Sequence, residues 1–325
     1  MPSLSTAPRA RWLSIGAIVI AVACGAGMAL QSRLNGGLGL ELQSAAAAAL
    51  WSFGSGCVIL LVVLAIMPSG RAGVRALITS LRNGTLPWWG LTGGVVGAFF
   101  VFSQGLAAGL IGVALFTVAY VAGQSIGSVV FDRIGVAGMH PRHITWPRVL
   151  GASLALAAVV LASWGRIGES GAPIWAYILP FIAGATVGWQ QAVNGLVRHA
   201  AGSGLIATAA NFTIGAVLLG IAALIVLIVD GPPAGTVHTP VLLLGGIVGI
   251  GFVLGMAVIV RRLGVLVLGL GTIAGQLVAA VVLDAAFPAN GHPIQATTVI
   301  ASAIALGAVA LAALPRPART RGSDR

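Results

Sequence analysis

The chain has 325 residues and a mean hydropathy of +1.05, with 58% hydrophobic and only 7% charged side chains. Its 17 basic and 6 acidic residues leave a net charge of +11, whereas soluble domains carry about 25% charged residues; there is too little polar material here to cover a watery surface, which excludes a cytosolic enzyme. All 17 basic residues are arginines scattered along the chain, so no basic face is gathered for nucleic acid.

In chain order, charge-free runs occupy 12–32, 42–70, 83–131, 149–165, 170–197, 199–229, 231–260, 263–283 and 285–315. A bilayer core about 30 Å thick takes roughly 20 helical residues, so eight of these runs predict one span apiece. The run 83–131 has 49 residues and would reach about 74 Å as one helix. It is expected to turn once, at Gly109, Leu110, Ile111 and Gly112, which makes ten spans. The predicted fold class is an all-α integral membrane protein of ten transmembrane helices. The first span could also be read as a signal peptide, with Arg9 and Arg11 as its basic region and Ala21-Val22-Ala23-Cys24 near a lipoprotein cleavage box. Against that, Ala21 suits the first box position poorly and the segment belongs to an internal repeat. Cys24 and Cys57 lie in apolar runs and read as buried free thiols, with no disulfide and no metal implied.

Cytoplasmic loops retain arginine. With the N-terminus inside, inner segments hold fifteen of them: Arg9, Arg11, Arg71, Arg75, Arg82, Arg133, Arg142, Arg148, Arg198, Arg261, Arg262, Arg316, Arg319, Arg321 and Arg325. Outer loops hold Arg33 and Arg166. One miscounted span would invert every later loop, so a multi-pass protein of a bacterial inner membrane with both termini cytoplasmic is expected.

Residues 91–132 align without gaps on 243–284, with 15 of 42 positions identical. The matches include Gly93-Gly94 with Gly245-Gly246, Gly97 with Gly249, Phe100 with Phe252, Gly112 with Gly264, Gly123-Gln124 with Gly275-Gln276 and Asp132 with Asp284. A second block pairs Gln31 with Gln190, Asn35-Gly36 with Asn194-Gly195, Ser44 with Ser203, Phe53 with Phe212 and Gly56 with Gly215. The chain therefore reads as a five-span unit written twice, 1–166 and 167–325. Five is odd, so the second unit enters the membrane from the opposite side. Inverted repeats are a recurrent plan of secondary transporters, with the substrate site near the midplane between the halves.

The Gln-x-x-x-Asn-Gly at Gln31 to Gly36, the Phe-x-x-Gly of span two, the Trp-Trp-x-x-x-Gly-Gly-x-x-Gly at Trp88 to Gly97 and the Gly-Gln eight residues before Asp132 resemble the YdcZ-type branch of the drug/metabolite transporter superfamily. The resemblance covers nearly the whole chain, although the second half has Leu243-Leu244 in place of the tryptophan pair. It implies a ten-helix bundle around a central cavity, with spans five and ten peripheral. It names no substrate, because branches of that superfamily handle amino acids, nucleotide sugars, drugs and other metabolites.

Hydrocarbon cannot satisfy polar side chains, so those inside spans turn toward the bundle interior or a wet cavity. Gln124 and Gln276 recur at equivalent positions of spans four and nine, as cavity lining or as interhelical hydrogen bonds. Tyr120, Trp189, Gln104, Asn211 and Trp51 are not matched between repeats and are candidates for substrate preference, with interface anchoring as the alternative for the tryptophans. Gln31, Asn35, Gln190 and Asn194 close spans one and six, as helix terminators or gates. Arg33 with Asp284 and Arg198 with Asp132 are placed at the outer and inner faces, as gate pairs or as independently solvated charges. The glycine faces read as helix packing before substrate contact.

No nucleotide loop, metal-ligand cluster or nucleophile with its base is legible, and no acid or histidine sits deep in a span, so neither cofactor nor catalysis is expected. The function expected is secondary transport, in the export direction, of a small organic metabolite or drug-like compound by alternating access, with lipid around it and a homodimer left open. The alternative is a channel-like facilitator or accessory membrane subunit without its own transport cycle.

Overall fold

Backbone groups in lipid have no water to bond with, so long apolar runs satisfy them internally as helices. The computed structural model describes residues 7–135, 145–164, 173–288 and 294–312, and all regular structure among them is helical. Helices are α1 Ala7–Leu42, α2 Ala45–Ile66, α3 Pro68–Arg82, α4 Gly93–Ser103, α5 Gly109–Ile111, α6 Val113–Ile134, α7 Trp146–Trp164, α8 Trp175–Ala201, α9 Gly204–Val229, α10 Gly245–Ala286 and α11 Ala296–Ala312. Seven segments are long and apolar enough to cross a membrane. Their outward faces are apolar, as on α9, where Ile221, Leu224, Ile225, Ile228 and Val229 are all more than half exposed.

Local chemistry sets the ends. Ser44 is extended and its hydroxyl accepts from the Ala47 amide at 3.3 Å, which caps α2. Gly135 and Gly202 end α6 and α8 at φ +72° and +66°, the left-handed region that glycine enters without a Cβ penalty. The turn expected over Gly109–Gly112 is confined to Gly112 (φ +84°), since Gly109–Ile111 is still helical. Ahead of it, Gln104–Ala108 forms a π turn.

Three expectations about elements are corrected. Span one does not close at residue 32: α1 continues to Leu42, because Gly36 and Gly39 let its far end press onto Gly109 and Gly105. Likewise α8 runs on to Ala201. The arginine-bearing segment after span two is not only a loop but includes the amphipathic helix α3, with Pro68 at its start and Arg82 in its last turn.

Spans eight and nine are one run of helical bonding, Gly245–Ala286. The run nonetheless doubles back. Gly255 lies against Cys24 and Gly271 against Ala21, sixteen residues or about 24 Å of helix apart on α10 but only about 4.5 Å apart on α1.

The repeats interlock. α1 of the first half lies along α10 of the second, and α8 of the second along α6 of the first. Gly25 and Gly275 face the carbonyls of Thr272 and Val22, while the equivalent Gly184 and Gly123 face those of Tyr120 and Phe181. Such contacts need glycine, because a Cβ would displace backbone. α7 and α11 pair at the periphery, Gly151 on the Ala308 carbonyl. The boundary at 166/167 lies outside the described residues.

Candidate substrate cavity

The small-residue faces and the amides belong to one construction. Gln31 Nε2 donates to the Gly245 carbonyl at 3.0 Å, and Gln190 Nε2 donates to the Gly93 carbonyl at 3.2 Å. A Cβ at Gly245 would meet Asn35 Oδ1, one at Gly93 would meet Asn194 Oδ1, and one at Gly249 would meet Gln31 Nε2. Each half thus seats its Gln-x-x-x-Asn on the Gly-Gly-x-x-Gly of the other. Phe53 and Phe212 stack across the same pseudo-twofold axis, ring centroids 4.7 Å apart, in space left by Gly215 and Gly56.

These elements enclose a cavity of about 200 Å³. Its polar lining is Gln31, Gln124, Gln190, Gln191, Asn194, Thr208, Asn211, Thr272 and Gln276, and its apolar lining includes Phe53, Phe100, Phe212, Phe252, Met28 and Met256 together with Tyr120. No lining side chain among the described residues carries a charge at neutral pH. Phe100 packs on Tyr120 with centroids 4.8 Å apart. None of the lining comes from α7 or α11.

Of the sequence-predicted residues, Gln124, Gln276, Tyr120 and Asn211 border this space, and so do Gln31, Gln190 and Asn194. The last three sit inside continuous helices, which removes their reading as helix ends. Three candidates are elsewhere. Gln104 is fully buried, accepting from Asn35 Nδ2 at 2.7 Å and donating to Ser32 Oγ at 2.8 Å. Trp189 donates to Thr92 Oγ1 at 2.9 Å beside Trp89. Trp51 is 47% exposed on the outer surface of the bundle, donating to the Leu243 carbonyl at 3.0 Å.

The sequence reading had no place in the cavity for the four phenylalanines, although Phe53 with Phe212 and Phe100 with Phe252 recur between repeats. Side chains recurring on inward faces of an inverted repeat meet near its axis, and that was the usable signal.

Two of the expected gate charges, Asp284 and Arg33, have described contacts. Asp284 is buried, and its oxygens accept from the amides of Val113 (2.9 Å) and Ala114 (2.8 Å), holding the start of α6 beside Gly112. Arg33 lies over the Phe287 ring, 6.0 Å from its centroid. Phe287 follows Asp284 by three residues, which puts Arg33 and Asp284 at the same end of the bundle. Arg198 is exposed near the end of α8; the Asp132 side chain is outside the described residues.

The two ends of the cavity differ although both carry the Gln-x-x-x-Asn-Gly motif. At the Arg33 end the Asn35–Gln104–Ser32 cluster is wholly buried, and Gly36 and Gly39 lie on Gly109 and Gly105. At the Arg198 end the equivalent amide, Asn194, instead accepts from Asn211 Nδ2 at 3.3 Å and faces the cavity. Gly195, the counterpart of Gly36, has nothing within 4 Å. Residues aligned with Gly39 and Gly109 are Arg198 and Arg261. Among the described residues, these contacts close the Arg33 end, and no equivalent contact is seen at the Arg198 end.

A search of curated proteins returns no match. A solved structure described only as "Crystal structure of protein" is 22% identical over 92% of this chain and 96% of its own, with a TM-score of 0.48, too low to carry an argument. The profile of the family described as "Putative inner membrane exporter, YdcZ" matches residues 16–161 and again 175–311, one match for each half. The chain belongs to that family.

Proposed function

We propose that the protein is a secondary exporter of a small organic metabolite, working by alternating access through ten spans with both termini in the cytoplasm. The observation that carries the reading is the unequal closure of equivalent ends. A cavity on the axis of two interlocked repeats is sealed at the Arg33 end by amides and glycine contacts, while Gly195 at the Arg198 end has open space. Alternating access would open the first end and close the second, the second by contacts of its own, because Arg198 and Arg261 stand where the first end has Gly39 and Gly109. A pore would need both ends open together.

Ten spans are supported by the seven long apolar segments, the shorter apolar helices Pro240–Met256 and Ala296–Ala312, and the more polar α8 that lines the cavity. The arginine distribution puts the Arg198 end in the cytoplasm, so this conformation faces inward.

The test compares organic solutes released by bacteria expressing the native protein with those released when Gly97→Trp fills the cavity. At least one solute should accumulate outside only with the native protein. In proteoliposomes, that solute preloaded on one side should accelerate its own exchange. Identical profiles would refute export, and exchange indifferent to preloading would indicate a pore.

A further inference from the structure

We infer that α3 is a binding site for anionic phospholipid, its exposed arginine stripe taking the headgroup phosphates of the leaflet at the Arg198 end of the bundle. This rests on residence in a membrane and not on export; the arginine orientation only names that leaflet as the cytoplasmic one.

Sequence and packing fix the direction of the stripe. The chain leaves α2 at Met67, whose extended backbone breaks the helix, and Pro68 starts α3. With 15 residues, three of them arginine, α3 is about 22 Å long, too short and too polar to cross about 30 Å of hydrocarbon. One side is committed to the bundle. Gly73 faces Ile206 and the Ala201 carbonyl, and Val74 and Leu77 pack on buried side chains of α2 and α9. The other side carries Arg71, Arg75, Ile78 and Arg82, all exposed, and at about 100° per residue they fall within about 60° of one another. Arg75 Nε donates to the Arg71 carbonyl at 3.4 Å. The terminal nitrogens of the three guanidinium groups have no acceptor among the described residues.

Charge and polarity identify the partner. The described carboxylates all belong to the opposite end: Glu41 accepts from the His238 and Thr239 amides, Asp230 ends α9, and Asp284 caps α6. No described carboxylate therefore neutralises the stripe, and Arg198 and His199 stand exposed at the nearby end of α8. Apolar side chains are exposed around the same cations: Ile66 and Met67 ahead of α3, Ile78 inside the stripe and Trp88 just beyond it. A water-soluble anion or an acidic protein loop would leave those side chains in water. A phospholipid covers them with its chains while its phosphate meets the guanidinium forks, whose geometry suits phosphate oxygens. Trp88 is then placed as an interfacial anchor.

Dioleoylphosphatidylglycerol and dioleoylphosphatidylcholine carry the same chains and differ in net headgroup charge. Added to the purified full-length protein in detergent, the anionic lipid is expected to raise the melting temperature at concentrations about tenfold or more below those of the zwitterionic one. Replacing arginines by glutamine at 71, 75 and 82 should raise the required concentration about fivefold for each one removed. Arg33→Gln, at the opposite end, should leave it unchanged. If the triple variant does not fold, rising salt on the native protein gives the same reading, since screening should erase the preference. Equal stabilisation by the two lipids, a preference unmoved by the three substitutions or by salt, or an equal loss in Arg33→Gln would each overturn the assignment. Inorganic phosphate acting as well as the anionic lipid would make this a free-anion site and overturn it too. Failure here leaves export standing, and the absence of any exported solute leaves the lipid site standing.

Discussion

Asp284 brings a carboxylate into the bundle and aims both oxygens at the amides that open α6, while Gly112 supplies the turn that exposes those amides. The two residues work as a unit, because a Cβ at Gly112 would sit 2.6 Å from an Asp284 oxygen. Asp284→Ala is expected to cost about 0.5–2 kcal/mol, the value of a lost helix cap. Gly112→Ala should cost about 1–3 kcal/mol for a backbone at φ +84° and ψ 157°, a region essentially reserved to glycine, with displacement of Asp284 added. Thermal melting of the purified variants measures both, and unchanged melting in either would contradict the capping role. Scarcity of acids made Asp284 conspicuous in the sequence. Its partner was not legible, because a backbone amide in the other half of the chain leaves no mark in residue composition.

Helical elements show how a glycine's meaning depends on what faces it. Gly36 and Gly195 are the same residue of the same motif, yet one is pressed on Gly109 and the other faces open space. Gly36→Ala should destabilise this conformation by about 1–3 kcal/mol, as overpacking does. Gly195→Ala should leave stability unchanged or raise it by up to about 1 kcal/mol, since alanine is the better helix former. If Gly195 is pressed against a neighbouring helix when the Arg198 end closes, Gly195→Ala will nevertheless slow exchange, because the added methyl holds that contact apart. Melting and exchange measured on the same two variants check this; full exchange by Gly195→Ala would show that this end closes by another route. The helix limits of α1 and α8 were misread because a polar residue in an apolar run looks like its end. Gln31 and Gln190 remain inside helices because the opposite half offers each a glycine carbonyl, and Asn35 and Asn194 because Gln104 and Asn211 of their own halves bond them.

For the whole molecule, the arginine asymmetry yields an orientation that two exposed sites can test. Thr79 on α3 and Ala234 in the connection between α9 and α10 are both exposed, and native Cys24 and Cys57 are buried. In intact cells a membrane-impermeant thiol reagent should label Ala234→Cys and spare Thr79→Cys; the reverse pattern would turn the molecule over and make this conformation outward-facing. Membrane residence, an all-helical fold, the repeat and the central placement of Gln124 and Gln276 were legible from the sequence, because hydropathy over a bilayer's thickness and gapless self-similarity are properties of the chain itself. Which amides line the cavity, which only hold helices together, and which end is shut are decided in three dimensions. Gln104 and Gln276 are both glutamines inside apolar runs, yet one is consumed by Asn35 and Ser32 while the other borders the cavity, its Nε2 buried without an acceptor among the described residues. Gln104 meets Asn35 and Ser32 because α1 packs along the π turn that carries it, and such long-range contacts depend on packing that no local stretch of sequence encodes.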